Sequence, residues 1–196
     1  SDVCSSDLVA KILKDLNLNL GTRIIFQPAE EIASGARWMI KDGAINGLTH
    51  ILGVHVYPDL PVGTVGIKDG SLTAAAGELK VEIKGKSGHG ARPHEGIDAI
   101  WVASKVISGI QELITRQLDP LDPVVITFGK INGGSAFNVL AEKVNLIGTV
   151  RCTNLKLFRN IGNWLTENIS SLASCCGADA KVIFREITPP VNNNLQ

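Results

Sequence analysis

The stretch Gly77-Glu78-Leu79-Lys80-Val81-Glu82-Ile83-Lys84 decides the fold of the second half of this chain. Leu79, Val81 and Ile83 alternate with Lys80, Glu82 and Lys84, so an extended backbone puts aliphatic side chains on one face and charges on the other. That is a strand for an antiparallel sheet covered on one side only. Downstream, residues 96–116 predict a helix with Ile97, Ile100, Trp101, Ser104, Ile107 and Ile114 along one stripe. Strands follow at 123–130 and 143–151, the latter with Val144, Leu146 and Val150 facing one way. A second helix over 155–176 aligns Phe158, Ile161, Leu165, Ile169 and Leu172, and a last strand takes 180–186. The order β-α-β-β-α-β is the split pattern of a ferredoxin-like sandwich, here over residues 77–187.

Upstream the rhythm differs. Leu8, Ile12, Leu13 and Leu16 share a helical face over 8–18, and Gly21 stops that helix. Arg23 to Gln27 predicts a buried strand. Pro28 suits the first turn of a helix running to Lys41 and ending at Asp42-Gly43. Strands are expected at 49–56 and 62–67, with Pro58 and Pro61 between them. Alternating strand and helix indicate α/β architecture, of which residues 9–76 supply a piece. The fold class is therefore α/β: part of an α/β domain plus an inserted ferredoxin-like α+β unit. Residues 1–8 show no clear periodicity and read as foreign to the native fold. Residues 188–196, with two prolines and three consecutive asparagines, read as a linker returning toward the first domain.

Lys plus Arg equals Asp plus Glu at 19 each, and this neutrality excludes nucleic acid and acidic membrane as expected partners. No apolar run reaches the ~20 residues of a membrane span, and no secretory signal is visible. The four cysteines, Cys4, Cys152, Cys175 and Cys176, form no C-x-x-C pair. A bond between adjacent Cys175 and Cys176 would be strained. Free thiols in a reducing cytoplasm are expected, with Cys175 and Cys176 as small buried apolar side chains.

Chemistry concentrates in four places. Glu30 and Glu31 stand where the apolar run Ile24-Ile25-Phe26 breaks at Gln27-Pro28-Ala29. Adjacent carboxylates at a strand end divide labour well, one binding a metal while the other faces its bound water as a base. Two acids in a first helical turn also complement the helix dipole, by about 0.3–1 kcal/mol each, and taken alone the pair fits both readings. His55 closes a second apolar run, Ile51-Leu52-Gly53-Val54, as a ligand or as a hydrogen-bonded strand-end ring, while His50 reads as structural. Ser87-Gly88-His89-Gly90-Ala91-Arg92-Pro93-His94 sets two histidines in a loop whose glycines let the backbone approach a neighbour closely, so that His89 can be presented outside its own domain. Asp98 follows in the first turn of the next helix. Asn132-Gly133-Gly134-Ser135-Ala136-Phe137-Asn138 offers an amide at Asn138. Arg151, at a strand end, has the planar fork that clamps a carboxylate.

Phe26-Gln27-Pro28-Ala29-Glu30-Glu31, Gly53-Val54-His55, Gly88-His89-Gly90-Ala91-Arg92-Pro93-His94 and Asn138-Val139-Leu140, in that order, resemble the dinuclear-metal amidohydrolase family of aminoacylases, hippurate hydrolases and indole-acetyl-amino-acid hydrolases. The likeness spans about residues 9–192. It implies a zinc-peptidase-like catalytic domain carrying an inserted lid that also dimerises, and two divalent metal ions, Zn or Mn. It implies Glu30 as general base, Glu31 and His55 as metal ligands, His89 as oxyanion stabiliser, commonly in the partner subunit's site, and Asn138 as a substrate contact. Arg151 and then His94 are weaker matches. The activity implied is hydrolysis of the amide of an N-acyl amino acid by a cytoplasmic homodimer.

The departures are specific. The family's upstream segment with a Cys and a His is missing before Glu30, Cys4 has no histidine nearby, and the last histidine ligand is absent. Two of about five expected ligands remain, fewer than the three protein ligands of a catalytic zinc site. Ala141 stands where the family has proline. The chain therefore reads as a fragment, inactive by itself. The competing reading is a non-catalytic dimerising module, and a related metallopeptidase differs only in substrate.

Overall fold

The computed structural model describes residues 2–16 and 21–194. In chain order the elements are α1 (Asp2–Asp15), α2 (Gly35–Lys41), β1 (Gly70–Thr73), β2 (Ala75–Lys84), β3 (Gly88–His89), α3 (Ala99–Gln117), β4 (Val124–Gly133), β5 (Val139–Leu140), β6 (Lys143–Cys152), α4 (Leu155–Cys175), β7 (Asp179–Thr188) and β8 (Val191–Asn193). Two compact units form, Ser1–Ile67 and Lys68–Gln196. Positions 17–18 of the first expected helix, Ser1, and positions 195–196 of the expected linker lie outside the described residues.

The second unit is a four-stranded antiparallel sheet in the order β4-β6-β2-β7. With β2, β4, β6 and β7 taken in sequence, this is the ferredoxin-like 4-1-3-2 arrangement read from the other edge. The pleat sorts the strands as the alternation predicts. Leu79, Val81 and Ile83 are fully buried, as are Val144, Leu146 and Val150, while Lys80 and Lys84 face water. Phe158, Ile161, Leu165 and Ile169 of α4 complete the same core, and Phe158 meets Phe184 edge-on with centroids 5.6 Å apart. Leu172 is half-buried and Ala173 takes the inner position beside it. Both helices are capped from their own sequence. Asp98 is the residue just before α3, not within its first turn, and accepts from Ile100 N–H at 2.9 Å. Asn154 accepts from Lys156 and Leu157 N–H, and each cap is worth about 1 kcal/mol.

The stripe expected on α3 is corrected. The buried residues are Ala99, Val102, Ala103, Val106 and Ile110, whereas Ile100, Trp101 and Ser104 are exposed. The helix carries apolar residues around most of its circumference, so periodicity alone does not choose the inner face. Close packing chooses it, by seating the smaller Ala and Val side chains against the sheet. Gly109 marks a second close approach, since a Cβ there would lie 2.9 Å from two methyl carbons of Leu172.

The first unit departs further from expectation. None of the strands expected at 23–27, 49–56 and 62–67 forms among the described residues. Ile51, Leu52, Val54, Val62 and Val65 are exposed, and Gly35 is the one buried residue described before position 68. A strand for a doubly covered sheet needs hydrogen-bonding neighbours and a helix layer on each face. The apolar runs encode that need, and the described residues do not meet it. The helix expected from Pro28 to Lys41 is split into a 3-10 turn, Glu30–Ile32, and α2, with Ala29 and Ala33 left-handed at φ 53° on either side of the turn. Asp42 caps α2 and Gly43 follows at φ 86°, as the expected stop requires.

Three local expectations change as well. Residues 2–8 belong to α1 rather than lacking periodic structure. The expected return linker contributes β8, which pairs antiparallel with β1 so that residues 70–73 and 191–193 form a two-stranded ribbon. Cys175 is exposed and Cys176 half-buried, so neither is the buried apolar side chain expected.

Candidate functional site

The carboxylate pair sits on a strained turn. Ala33 N–H donates to Glu30 O at 2.8 Å and Ser34 N–H to Ala29 O at 3.4 Å, closing a loop around Glu30 and Glu31. The two left-handed alanines cost on the order of 1–2 kcal/mol each. Gly35 makes the turn possible, since a Cβ there would lie 1.5 Å from the Pro28 carbonyl oxygen. Both carboxylates are exposed. Upstream, Arg23 Nη1 donates to the carbonyls of Ala44 and Asn46, each at 2.9 Å, tying the strand-like segment to the turn after α2.

His55 lies in the same unit and in no regular element. Its Nδ1 stands 2.6 Å from Val56 O. A carbonyl only accepts, so Nδ1 carries the proton and Nε2 of the neutral ring keeps a free lone pair. That is the tautomer a metal-ligating histidine adopts when a backbone carbonyl orients it. Glu31 and His55 thus have donor atoms suited to a divalent ion. Among the described residues, however, no group of three or more His, Cys, Asp or Glu gathers to hold one. Glu30, Glu31 and His55 do not make a complete metal cage by themselves.

His89 is held in the opposite state. It sits on β3, paired with Val139 of β5, and Gly90 N–H donates to Asn138 O at 2.8 Å. A Cβ at Gly90 would meet that same oxygen at 3.0 Å, so the glycine allows the close approach expected of it. The loop base is stapled by Lys86 and Ile97 exchanging two backbone hydrogen bonds, and Ala99 N–H reaches Ala141 O at 2.8 Å. Within this frame Ala91 N–H donates to His89 Nδ1 at 3.1 Å. The ring proton therefore resides on Nε2, which becomes an exposed hydrogen-bond donor.

His89 and Asn138 are thus brought together at one end of the sheet. Arg151 is not. It pairs with Ala76 and Val125 at the far end of β6, eight residues from Lys143 and so about 26 Å along the strand. Its Nη1 donates to Val150 O at 3.1 Å. His94 is exposed, 3.8 Å from Glu95, which also pairs with Arg92 at 3.5 Å. His50 is exposed beside Thr49.

Sequence reasoning missed the groups that set these states. Nothing in the motif announces that Val56 O or Ala91 N–H fixes a tautomer, because each contact depends on a local backbone turn. Gly35, seven residues after Pro28, is the one such group with a signal in the sequence.

Residues 73–173 match the M20 peptidase dimerisation domain. A probable hydrolase of Synechocystis sp. is 49% identical over 174 residues, covering 89% of this chain and 44% of that protein. An N-acetyl-L-cysteine deacetylase of Bacillus subtilis is 39% identical over 172 residues, covering 88% of this chain and 41% of that protein. A Bacillus subtilis crystal structure described as a dinuclear metal binding peptidase from the M20 family superposes with a TM-score of 0.69 at 33% identity, covering 87% of this chain and 42% of that one. The chain spans 41–46% of the length of the curated relatives it matches.

Proposed function

This chain belongs to the M20 family through its dimerisation domain, and from that premise we propose that the protein is a metal-dependent amidohydrolase releasing the acyl group of N-acyl amino acids. The observation that supports the reading best is the opposed state of two histidines. His55 keeps a lone pair on Nε2, and His89 keeps a proton there. The first suits a metal ligand and the second a donor to a developing oxyanion.

Glu30 takes the proton of the attacking water and passes it to the departing amine. His89 donates from Nε2 to the tetrahedral oxyanion, a task worth about 3–4 kcal/mol per donor in comparable sites. Asn138 orients the substrate through its amide. Glu31 and His55 supply two ligands of a metal pair, Zn or Mn, and the family resemblance implies the remaining ligands outside the residues of this chain. What a divalent ion adds when bound is Lewis acidity at the scissile carbonyl. Arg151 clamps the substrate carboxylate. Its ~26 Å from the His89 end exceeds the reach of one small substrate, so both act together only from different subunits. That geometry, with the dimerisation domain, supports a homodimer. The neutral charge balance supports a small-molecule substrate, and the free cysteines support a reducing cytoplasm. No helix among the described residues is long and apolar enough to cross a membrane.

The test uses the complete protein. Glu30→Gln lowers turnover of N-acetyl and N-benzoyl amino acids by about 10²–10⁴-fold while bound metal is retained. Turnover that survives removes Glu30 from the role of base. One observation favours a second reading, in which this stretch acts as a dimerising module alone. The second unit has its own closed core, while the described residues gather no metal group. Metal analysis, turnover and sedimentation of the complete protein separate the two. A metal-free dimer without turnover supports the module, and stoichiometric metal with turnover supports the enzyme.

A further inference from the structure

On the outer side of the helix layer, α3 and α4 enclose an open groove of about 340 Å³. Its α4 wall is Leu172, Cys175 and Cys176, one helical face by their spacing, and its α3 wall includes Lys105, Ser108 and Gly109. Both cysteines are lining residues of this one groove. Cys175 is exposed, Cys176 is half-buried, and neither is in a disulfide. Cys152 has no such access, being buried with its thiol donating to Asn154 O at 3.3 Å. The proposed hydrolase chemistry uses none of these groups.

The geometry points to a two-thiol binding site for a soft, thiophilic electrophile, of which a trivalent aryl arsenical is the representative. Thiols select soft partners. Glu112 also lines the groove, but no group of three His, Cys, Asp or Glu gathers to hold a metal among the described residues, so a four-coordinate zinc site is not provided. An arsenic(III) centre bearing one aryl substituent needs only two sulfurs, and the groove volume lies at the lower end of the range of small-molecule sites. In the step, two As–S bonds form and the As=O bond of the arsenoxide breaks. The oxygen leaves as water with both thiol protons, and arsenic stays trivalent. The second As–S bond closes within one molecule, at an effective concentration on the order of millimolar or above. The pair therefore holds the arsenical against a competing monothiol at about 1 mM, where a single cysteine does not.

The test treats the 196-residue chain carrying Cys4→Ser with phenylarsine oxide in about 1 mM monothiol and reads intact mass and free thiols. One adduct per chain, with two thiols blocked, is expected. Cys175→Ser and Cys176→Ser should each weaken retention about 100-fold or more. Because Cys175 is exposed, its variant remains decisive if replacing the half-buried Cys176 unsettles the fold. Loss of the adduct from the parent as readily as from the single variants shows that the thiols do not converge, and its survival in Cys175→Ser moves the site elsewhere. Either result overturns the assignment.

Discussion

Phe158→Ala tests whether the second unit is held by one continuous core. Phe158 of α4 is among the largest fully buried side chains, at 0% exposure, and belongs to the shared core. Removing a fully buried Phe costs about 3–5 kcal/mol in lost transfer energy plus residual cavity. The ring also meets Phe184 at 5.6 Å and 76°, an edge contact worth about 0.5–1.5 kcal/mol beyond its area. A loss of about 3–5 kcal/mol, the ring contact included, compares with about 5–15 kcal/mol for a whole domain, so the variant should remain folded only marginally. The assay is urea unfolding followed by tryptophan fluorescence, since Trp101 and Trp164 stand on α3 and α4. The midpoint should fall sharply with an unchanged slope. Phe184→Ala, at a half-buried position, should cost less, and the double variant should show a coupling of about 0.5–1.5 kcal/mol. A loss below about 1 kcal/mol for Phe158→Ala, or strict additivity of the pair, refutes the packing argument.

Two further outcomes are expected. Gly35→Ala in the complete protein should abolish the proposed turnover while the urea midpoint of the second unit is unchanged, because the added Cβ displaces the Pro28 carbonyl and with it the turn bearing Glu30; retained activity means that the turn is not the catalytic conformation. Glu82 is held below the ordinary carboxylate range, first by its hydrogen bond from Lys143. Its depressed value means that the unfolded chain takes up the proton first on acidification, so this stabilisation is present above the ordinary carboxylate value and lost as pH falls through the folded one. Glu82→Gln should therefore flatten the acid limb of a Tm-versus-pH curve, and an unchanged limb assigns that pH dependence to other groups.

The sandwich was legible because each of its elements answers to local rules. The alternation over 79–84 and the α4 stripe from Phe158 to Ile169 place their elements within a residue or two of those observed. The inner face of α3 was not legible, since Ile100 and Trp101 are as apolar as Val102 and Val106 and only packing against the sheet separates them. In the first unit the apolar runs at 51–56 and 62–67 announced a demand for burial, but a buried strand exists only when neighbouring strands supply its hydrogen bonds.

By itself the sequence determined the order of the elements in the second unit and the polarity of its strand faces, because these depend on residue type and on spacing along the chain. Tertiary structure alone decided that His89 lies beside Asn138 while Arg151 stands at the other end of the sheet. It alone set Cys175 and Cys176 of the α4 end across a groove from α3. The physical reason is common to all of these. A strand register and the seam between two helices are each set by the partner on the opposite side, and no spacing within a single segment specifies which partner that will be.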